Sequence, residues 1–211
     1  MTDLPKLDSL DVEGKRVLVR CDLNVPLQDG TISDDLRITA ALPTIETLLG
    51  SGARVVLCSH LGRPKGKRVD SLSLAPVKDR LEELLSRPVT LASDVVGTSA
   101  REACASEDPV VLLENLRFEP GEEKNDPDFS SALTSLGDCY VDDAFGAAHR
   151  AHASIVGPPQ SLPSAAGLLL EDEVGKLARL LEAPAHPYIA VLGGAKVSDK
   201  LAVIGNLLER V

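Results

Sequence analysis

The chain has 211 residues and a formal net charge of -10, which excludes a global attraction for nucleic acid or for an anionic membrane surface while leaving room for a local cationic site. Hydrophobic residues make up 44% and charged residues 26%, the balance of an ordinary globular chain with one large domain or two small ones. Aromatics are only 2%, with no Trp, so the core must be aliphatic.

The four cysteines, Cys21, Cys58, Cys104 and Cys139, form no C-x-x-C pair and no Cys/His cluster with zinc spacing. They read as buried, reduced thiols. The N-terminus lacks a signal-peptide pattern, and no run of about 18 apolar residues occurs, so a cytoplasmic location is expected.

Short β-branched runs alternate with helical patterns along the chain. Arg16 to Val19 reads as a strand, Thr39 to Leu49 as a helix with Pro43 tolerated near its first turn, and Arg54 to Cys58 as a second strand. Leu74, Val77, Leu81, Leu84 and Leu85 share one helical face, predicting a helix over 74–86 that Pro88 stops. Val89 to Leu91 and Val110 to Leu113 read as strands, Asp128 to Leu136 as a helix closed by Gly137, and Cys139 to Val141 as the start of another strand. This alternation predicts an α/β fold: a parallel sheet with helices on both faces, in a Rossmann-like three-layer arrangement.

Between Gly157 and Gly167 the prolines at 158, 159 and 163 mark a break. Leu168 to Glu182 then reads as one amphipathic helix, with Leu169, Val174, Leu177, Leu180 and Leu181 as its apolar positions. Pro184 and Pro187 precede a new strand, Tyr188 to Leu192, a Gly193-Gly194-Ala195-Lys196 loop and a helix from Ser198 onward. A lone strand and helix cannot make a core. The expected organisation is therefore a first domain over 1–167, a hinge helix over 168–184, and the incomplete start of a second lobe of the same class over 185–211.

Polar clusters follow the carboxyl ends of the proposed strands, where open parallel sheets bind ligands. Arg20, Asp22 and Asn24 follow the first; Ser59, His60 and Arg63 the second; Glu114, Asn115 and Arg117 the VVLL strand; Asp142, Asp143, His149, Arg150 and His152 the next. Arg37, Arg63, Arg117 and Arg150, with His60, form a candidate cationic set, and Asp22 and Asn24 can hydrogen-bond hydroxyls. A small polyanion carrying hydroxyls fits this chemistry, because guanidinium forks match phosphate and carboxylate oxygens. No nucleophile stands beside a base, so covalent catalysis is not indicated. The glycine-rich turn at Gly194, with Lys196 and Lys200 four apart at a helix start, is a second candidate anion site. The Asp142-Asp143 pair reads as a loop brace rather than a metal site, and the run Glu122 to Asp126 as a charged surface loop or helix start without an assigned role.

Five segments in order resemble the motifs of the phosphoglycerate kinase family: 17–26 (VLVRCDLNVP), 59–64 (SHLGRP), 113–118 (LENLRF), 142–152 (DDAFGAAHRAH) and 192–200 (LGGAKVSDK). The resemblance spans essentially the whole chain. It implies a glycolytic phosphotransferase, reversibly moving a phosphoryl group between 1,3-bisphosphoglycerate and ADP to give 3-phosphoglycerate and ATP, with Mg²⁺ accompanying the nucleotide. Carried over by residue, it implies that Asp22 and Asn24 hold the glycerate hydroxyl and that His60, Arg63, Arg117 and Arg150 surround the 3-phosphate. Arg37 and Lys196 would be catalytic, facing the transferring phosphoryl group. Gly194, Lys196 and Lys200 would contact the nucleotide. The family's two lobes are of similar size, so the resemblance also implies that most of the nucleotide lobe and its metal ligand are missing and that this chain alone is inactive. The partners implied are small molecules only, with a monomer expected for the complete enzyme. The rival expectations are a stand-alone phosphate-binding module, and a self-associating module whose exposed leucine seam would show in light scattering.

Overall fold

Arg16–Cys21 forms β1, and five of its six residues are buried. A strand buried on both faces must have its alternate side chains received by two separate cores. Val17, Val19 and Cys21 pack into one hydrophobic cluster and Leu18 into the other. The same parity runs through β4 (Arg54–Cys58), β6 (Val110–Leu112) and β7 (Cys139–Asp143): Val55, Leu57, Val110, Leu112, Cys139 and Val141 share the first core, and Val56, Cys58, Val111 and Tyr140 the second. The computed structural model describes residues 4–182, 187–189, 191 and 205.

The first core is closed by α1 (Leu36–Gly50) and α2 (Ala75–Leu85), through Ile38, Ala41, Ile45 and Leu48 and through Val77, Leu81 and Leu85. The second is closed by α3 (Thr98–Ala105) and α4 (Pro127–Thr134), through Ala100 and Cys104 and through Phe129 and Leu133. Each fully buried aliphatic side chain contributes ~1.5–3 kcal/mol. The result is the expected three-layer α/β arrangement. With β5 (Thr90–Leu91) and β8 (Ser164–Ala166), the sheet runs β5-β6-β4-β1-β7-β8, and every pairing is parallel. From β1 the chain moves outward to β4 on one side and later returns to β7 on the other, which makes β1 the topological switch point.

Several elements differ from expectation for identifiable reasons. The first helix begins at Leu36, three residues early, because Asp34 Oδ1 accepts the Leu36 N–H at 2.8 Å and the Asp35 carbonyl accepts those of Ile38 and Thr39. Pro43 therefore sits mid-helix. A hairpin of β2 (Leu27–Gln28) and β3 (Thr31–Ile32) turns on Asp29 and Gly30, both at positive φ, where the missing Cβ of glycine removes the penalty. The proline-marked stretch contains β8, a sixth strand. Its Ser-Ala-Ala sequence carries almost no β signal, and Pro163 is tolerated because it precedes an edge strand. Helix α3 had no counterpart in the sequence reading. All four cysteines are free and buried, as expected.

Two four-residue helices follow β7: α5 (Phe145–Ala148) and α6 (Ala153–Val156). Helix α7 spans Leu168–Glu182, the range anticipated, but among its described leucines Leu170 is buried rather than Leu169, Leu177 and Leu180 are exposed, and the Leu181 side chain lies outside what is described. The described residues fall into two units, one running to Glu171 and one beginning at Asp172. Among the described residues no helix is long and apolar enough to cross a membrane.

Candidate functional site

The four strands that end in polar clusters, β6, β4, β1 and β7, are the four contiguous central strands of the sheet. Their carboxyl-end loops are tied together by hydrogen bonds over long sequence separations. The Leu23 N–H donates to Ser59 Oγ at 2.9 Å and the Gly62 N–H to Asn24 Oδ1 at 2.8 Å, joining the loops after β1 and β4. Asn115, fully buried, takes the Leu61 N–H on Oδ1 and donates from Nδ2 to the carbonyls of Leu61 and Leu72, joining the loops after β4 and β6. Glu114, also buried, takes the N–H groups of Leu74 and Asn115 on Oε1 and the Ser73 hydroxyl on Oε2. Buried polar groups satisfied in this way hold loops as rigidly as core packing does.

The structure brings Arg37, Arg117 and Arg150 around His60, where all three act on the imidazole electrostatically. Arg117 is 5% exposed; its Nη1 donates to the Gly62 carbonyl at 2.7 Å, and its Nε lies 3.2 Å from Glu123 Oε1. Burial, followed by Arg150 and Arg20, lowers its pKa, partly offset by Glu123. Arg117 therefore braces the loop as well as supplying charge. Arg37 is half-exposed and pairs with Asp22, Nη1 to Oδ2 at 2.5 Å. Arg63 and Arg150 are exposed, and neither side chain hydrogen-bonds or ion-pairs with any described residue. Asn24 has its carbonyl committed to Gly62, which leaves its amide N–H groups for a ligand.

His60 departs from the cationic role expected of it. The ring is 7% exposed, and burial together with Arg20, Arg117, Arg150 and Arg37 pushes its pKa down to about 2. It is a neutral hydrogen-bonding group, because burying a charge among four guanidinium groups is unfavourable on both counts. The positive charge comes from the arginines alone.

Sequence reading missed what stands behind the site. Arg20, 1% exposed, lies on the same sheet face as Leu18 and faces the second core. Its Nε donates to Ser154 Oγ at 2.9 Å, its Nη1 donates to the Cys21 carbonyl, and its Nη2 lies 3.1 Å from His60 Nδ1. Glu122 is not on the surface: it is fully buried, accepting the Ser154 hydroxyl on Oε1 at 2.6 Å and the Ser154 N–H on Oε2 at 3.0 Å. His152 Nδ1 lies 3.8 Å from Glu122 Oε1, and burial lowers the His152 pKa.

The Asp142-Asp143 pair acts as a brace. Asp142 Oδ1 takes the Ala144 N–H. Asp143, fully buried, accepts the Leu169 and Leu170 N–H groups on Oδ1 at 3.0 and 3.3 Å, capping the start of α7. A Cβ on Gly167 would fall 2.1 Å from that oxygen, so only glycine lets the carboxylate approach. Burial raises the Asp143 pKa to about 6, only partly offset by Thr44 and then by the helix donors Leu170 and Leu169. The folded state thus holds this proton more tightly than the unfolded chain, whose carboxyl titrates near 4. The stabilisation is full below pH ~4 and is lost as pH rises through about 6, on the order of 2–3 kcal/mol in all. In denaturant titrations at pH 4.5 and 7.5, wild type is expected to gain on D143N toward acid; a pH-independent difference would contradict this.

Among the described residues no group of three or more His, Cys, Asp or Glu could hold a metal ion. Gly194, Lys196 and Lys200 lie outside the described residues.

Comparison with known proteins agrees with the motif pattern. A family model described as phosphoglycerate kinase matches residues 7–211. The chain is 57% identical over 207 residues to a phosphoglycerate kinase of Moorella thermoacetica, covering 97% of this chain and 53% of that protein. It is 57% identical over 203 residues to one of Thermomicrobium roseum, covering 95% and 52%. Among solved structures, the phosphoglycerate kinase of Coxiella burnetii matches with a TM-score of 0.86 at 41% identity, over 99% of this chain and 53% of that one. The enzyme of Pyrococcus horikoshii matches at 0.88 and 38%, over 98% and 53%. The chain spans about half the length of the curated relatives it matches. On the extent and identity of these matches, the chain belongs to the phosphoglycerate kinase family.

Proposed function

We propose that this chain is the acid-binding half of a cytoplasmic, glycolytic phosphotransferase that interconverts 1,3-bisphosphoglycerate plus ADP with 3-phosphoglycerate plus ATP. The observation that carries the reading is the convergence of Arg37, Arg117 and Arg150 on His60, with Arg150 and Arg63, three residues after that histidine, lacking a side-chain partner among the described residues. A 3-phosphate offers oxygens for Arg63, Arg117 and Arg150 and an acceptor for His60. Asp22 and the Asn24 amide suit the glycerate hydroxyl. Arg37, held 2.5 Å from Asp22 and half-exposed, suits the reacting end.

The chemistry asks little covalent work of the protein. In the direction of ATP synthesis, the bond between the acyl oxygen and phosphorus breaks, a terminal oxygen of ADP takes the phosphoryl group, and a carboxylate remains. Catalysis is then positioning and stabilisation of charge on the group in flight. Arg37 would act from this domain and Lys196 from the other lobe, with Gly194 and Lys200 on the nucleotide phosphates. Magnesium would offset phosphate charge when bound with the nucleotide, outside the residues described. In the proposed organisation, 1–167 is the acid-binding domain, 168–184 the hinge helix and 185–211 the opening of the nucleotide lobe, which must close for turnover. The partners are small molecules, without nucleic acid or membrane, and the complete enzyme acts as a monomer.

Isothermal titration tests the reading. The chain should bind 3-phosphoglycerate at low salt and should not detectably bind ADP with magnesium. Absence of acid binding, both here and in a chain continued through the second lobe, would overturn it. Arg63→Ala should weaken acid binding about 10- to 100-fold, the range for losing a charge-assisted hydrogen bond. Unchanged affinity removes Arg63 from the site. In the continued chain, Arg37→Ala should lower kcat about 10²- to 10³-fold with little change in KM, since its partner develops in the transition state. Equal changes in both would assign Arg37 to ground-state binding.

A further inference from the structure

Behind the acid site lies a chain of groups that the proposed reaction does not use. Glu122, Ser154 and Arg20 are each at most 1% exposed, and His60 is 7% exposed. The donor directions in this chain are fixed by chemistry. A guanidinium has five N–H donors and no acceptor lone pair, so the 3.1 Å contact between Arg20 Nη2 and His60 Nδ1 can be a hydrogen bond only if Nδ1 is the bare, accepting nitrogen. The ring proton then sits on Nε2. That atom makes no hydrogen bond to a described residue, nor is it among the buried side-chain atoms that lack a partner, so it opens on solvent.

Arg20 is itself held in direction. Its Nε and Nη1 are engaged by Ser154 Oγ and the Cys21 carbonyl, and in a planar fork two fixed donors determine the third. Ser154 has one hydroxyl hydrogen, which goes to Glu122 Oε1, leaving a lone pair for Arg20. Glu122 also grips the Ser154 N–H, and its own carbonyl takes the Ala153 N–H, so it fixes the first turn of α6, which carries the serine. The Tyr140 hydroxyl adds a bond to the Ser154 carbonyl. The buried negative charge of Glu122 and the positive charge of Arg20 compensate each other through the serine, as buried charges require.

We propose that Glu122, Ser154 and Arg20 form a one-way relay of positioning residues that locks His60 as its Nε2–H tautomer, presenting the site with a neutral hydrogen-bond donor whose charge does not change across the working pH range. The charged groups that act most strongly on the ring are cations: Arg20 from β1, Arg37 from α1, Arg117 from the turn after β6 and Arg150 from the segment after α5, with Asp22 paired to Arg37 and Glu123 beside Arg117. The four cations oppose a second proton on the ring, and the relay decides where the first one sits. The consequence for binding rests on the functional reading above; the tautomer itself does not.

The test is a two-bond ¹H–¹⁵N correlation spectrum of the ligand-free, ¹⁵N-labelled chain, with the His60 signals assigned by their loss in His60→Gln. The expected pattern is a protonated Nε2 and an unprotonated Nδ1, unchanged from pH 8 to pH 5. An Nδ1–H pattern, or titration near 6.5, overturns the proposal. Ser154→Ala removes one anchor without adding bulk, and Glu122→Gln keeps the shape but reverses the polarity at the serine. In folded forms of either, His60 should show both tautomers in exchange. A wild-type His60 spectrum in both would remove Ser154 and Glu122 from the relay and reduce it to a single Arg20 contact. In the presence of 3-phosphoglycerate, the affinity ratio of wild type to His60→Gln should be the same at pH 5.5 and 7.5. A several-fold larger ratio at pH 5.5 would mean that a charged imidazole contributes. Failure of the acid to bind at all would count against the functional reading and leave the ligand-free spectra to decide the relay.

Discussion

Glu122→Ala is expected to lower the unfolding free energy by about 3–5 kcal/mol, the range for deleting one member of a compensated buried charge pair. The carboxylate is fully buried and takes the Ser154 hydroxyl and N–H at 2.6 and 3.0 Å. Removing it strands those donors and leaves the Arg20 guanidinium without its buried counter-charge. That loss is a large part of the 5–15 kcal/mol that stabilises a typical domain. Glu122→Gln should lose less, because the amide fills the same space and retains an acceptor, although the serine hydroxyl can no longer serve both neighbours as it does now. Denaturant titration at constant pH separates the cases. A loss below 1 kcal/mol for the alanine variant would show that Arg20 does not depend on this carboxylate.

Acid should unfold the protein partly through His60. Its pKa falls from 6.5 to about 2 on folding, so the unfolded chain takes up a proton that the folded ring refuses. The stability supplied by the neutral ring is complete above pH 6.5 and is lost progressively as pH falls from 6.5 toward 2. Below 6.5 the slope is up to ~1.4 kcal/mol per pH unit for one proton. The lowered His152 pKa adds in the same direction, while Asp143 opposes it between about pH 6 and 4. The wild-type curve is therefore a balance, and the informative quantity is the difference between wild type and His60→Gln. That difference should shift against wild type by about 1–1.4 kcal/mol for each unit of acidification below 6.5. A difference that stays flat from pH 7 to 4.5 would show that the buried ring accepts a proton as readily as it does in water.

The two predictions rest on residues with different legibility. His60 was visible as a candidate site residue because it follows a β-branched run that had to be a strand, and such runs in a parallel sheet empty onto one edge. Its charge state was not visible, since it depends on four guanidinium groups carried by four separate elements. Glu122 sits in a run of Glu, Lys, Asn and Asp that reads locally as solvated, yet it is buried against Ser154, 32 residues on, and through it Arg20. Arg20 and Ser154 are separated by 134 positions. Local patterning cannot report a contact closed only when β1 and α6 meet across the second core.

By itself, the sequence determined the layered α/β fold, the strand ends that carry the polar clusters, the helix over 168–182 and the family. Each of these depends on the order of residues along the chain: period-two burial, helical spacing and contiguous motifs. Tertiary structure alone decided which polar residues stay exposed and which bond to one another. It kept the edge strand β8 in the sheet despite a sequence with little β preference, turned Asp143 into a helix cap, and made His60 neutral. Those outcomes depend on burial and on the charges of distant neighbours, and a group's protonation and partners are set by the medium around it rather than by its place in the chain.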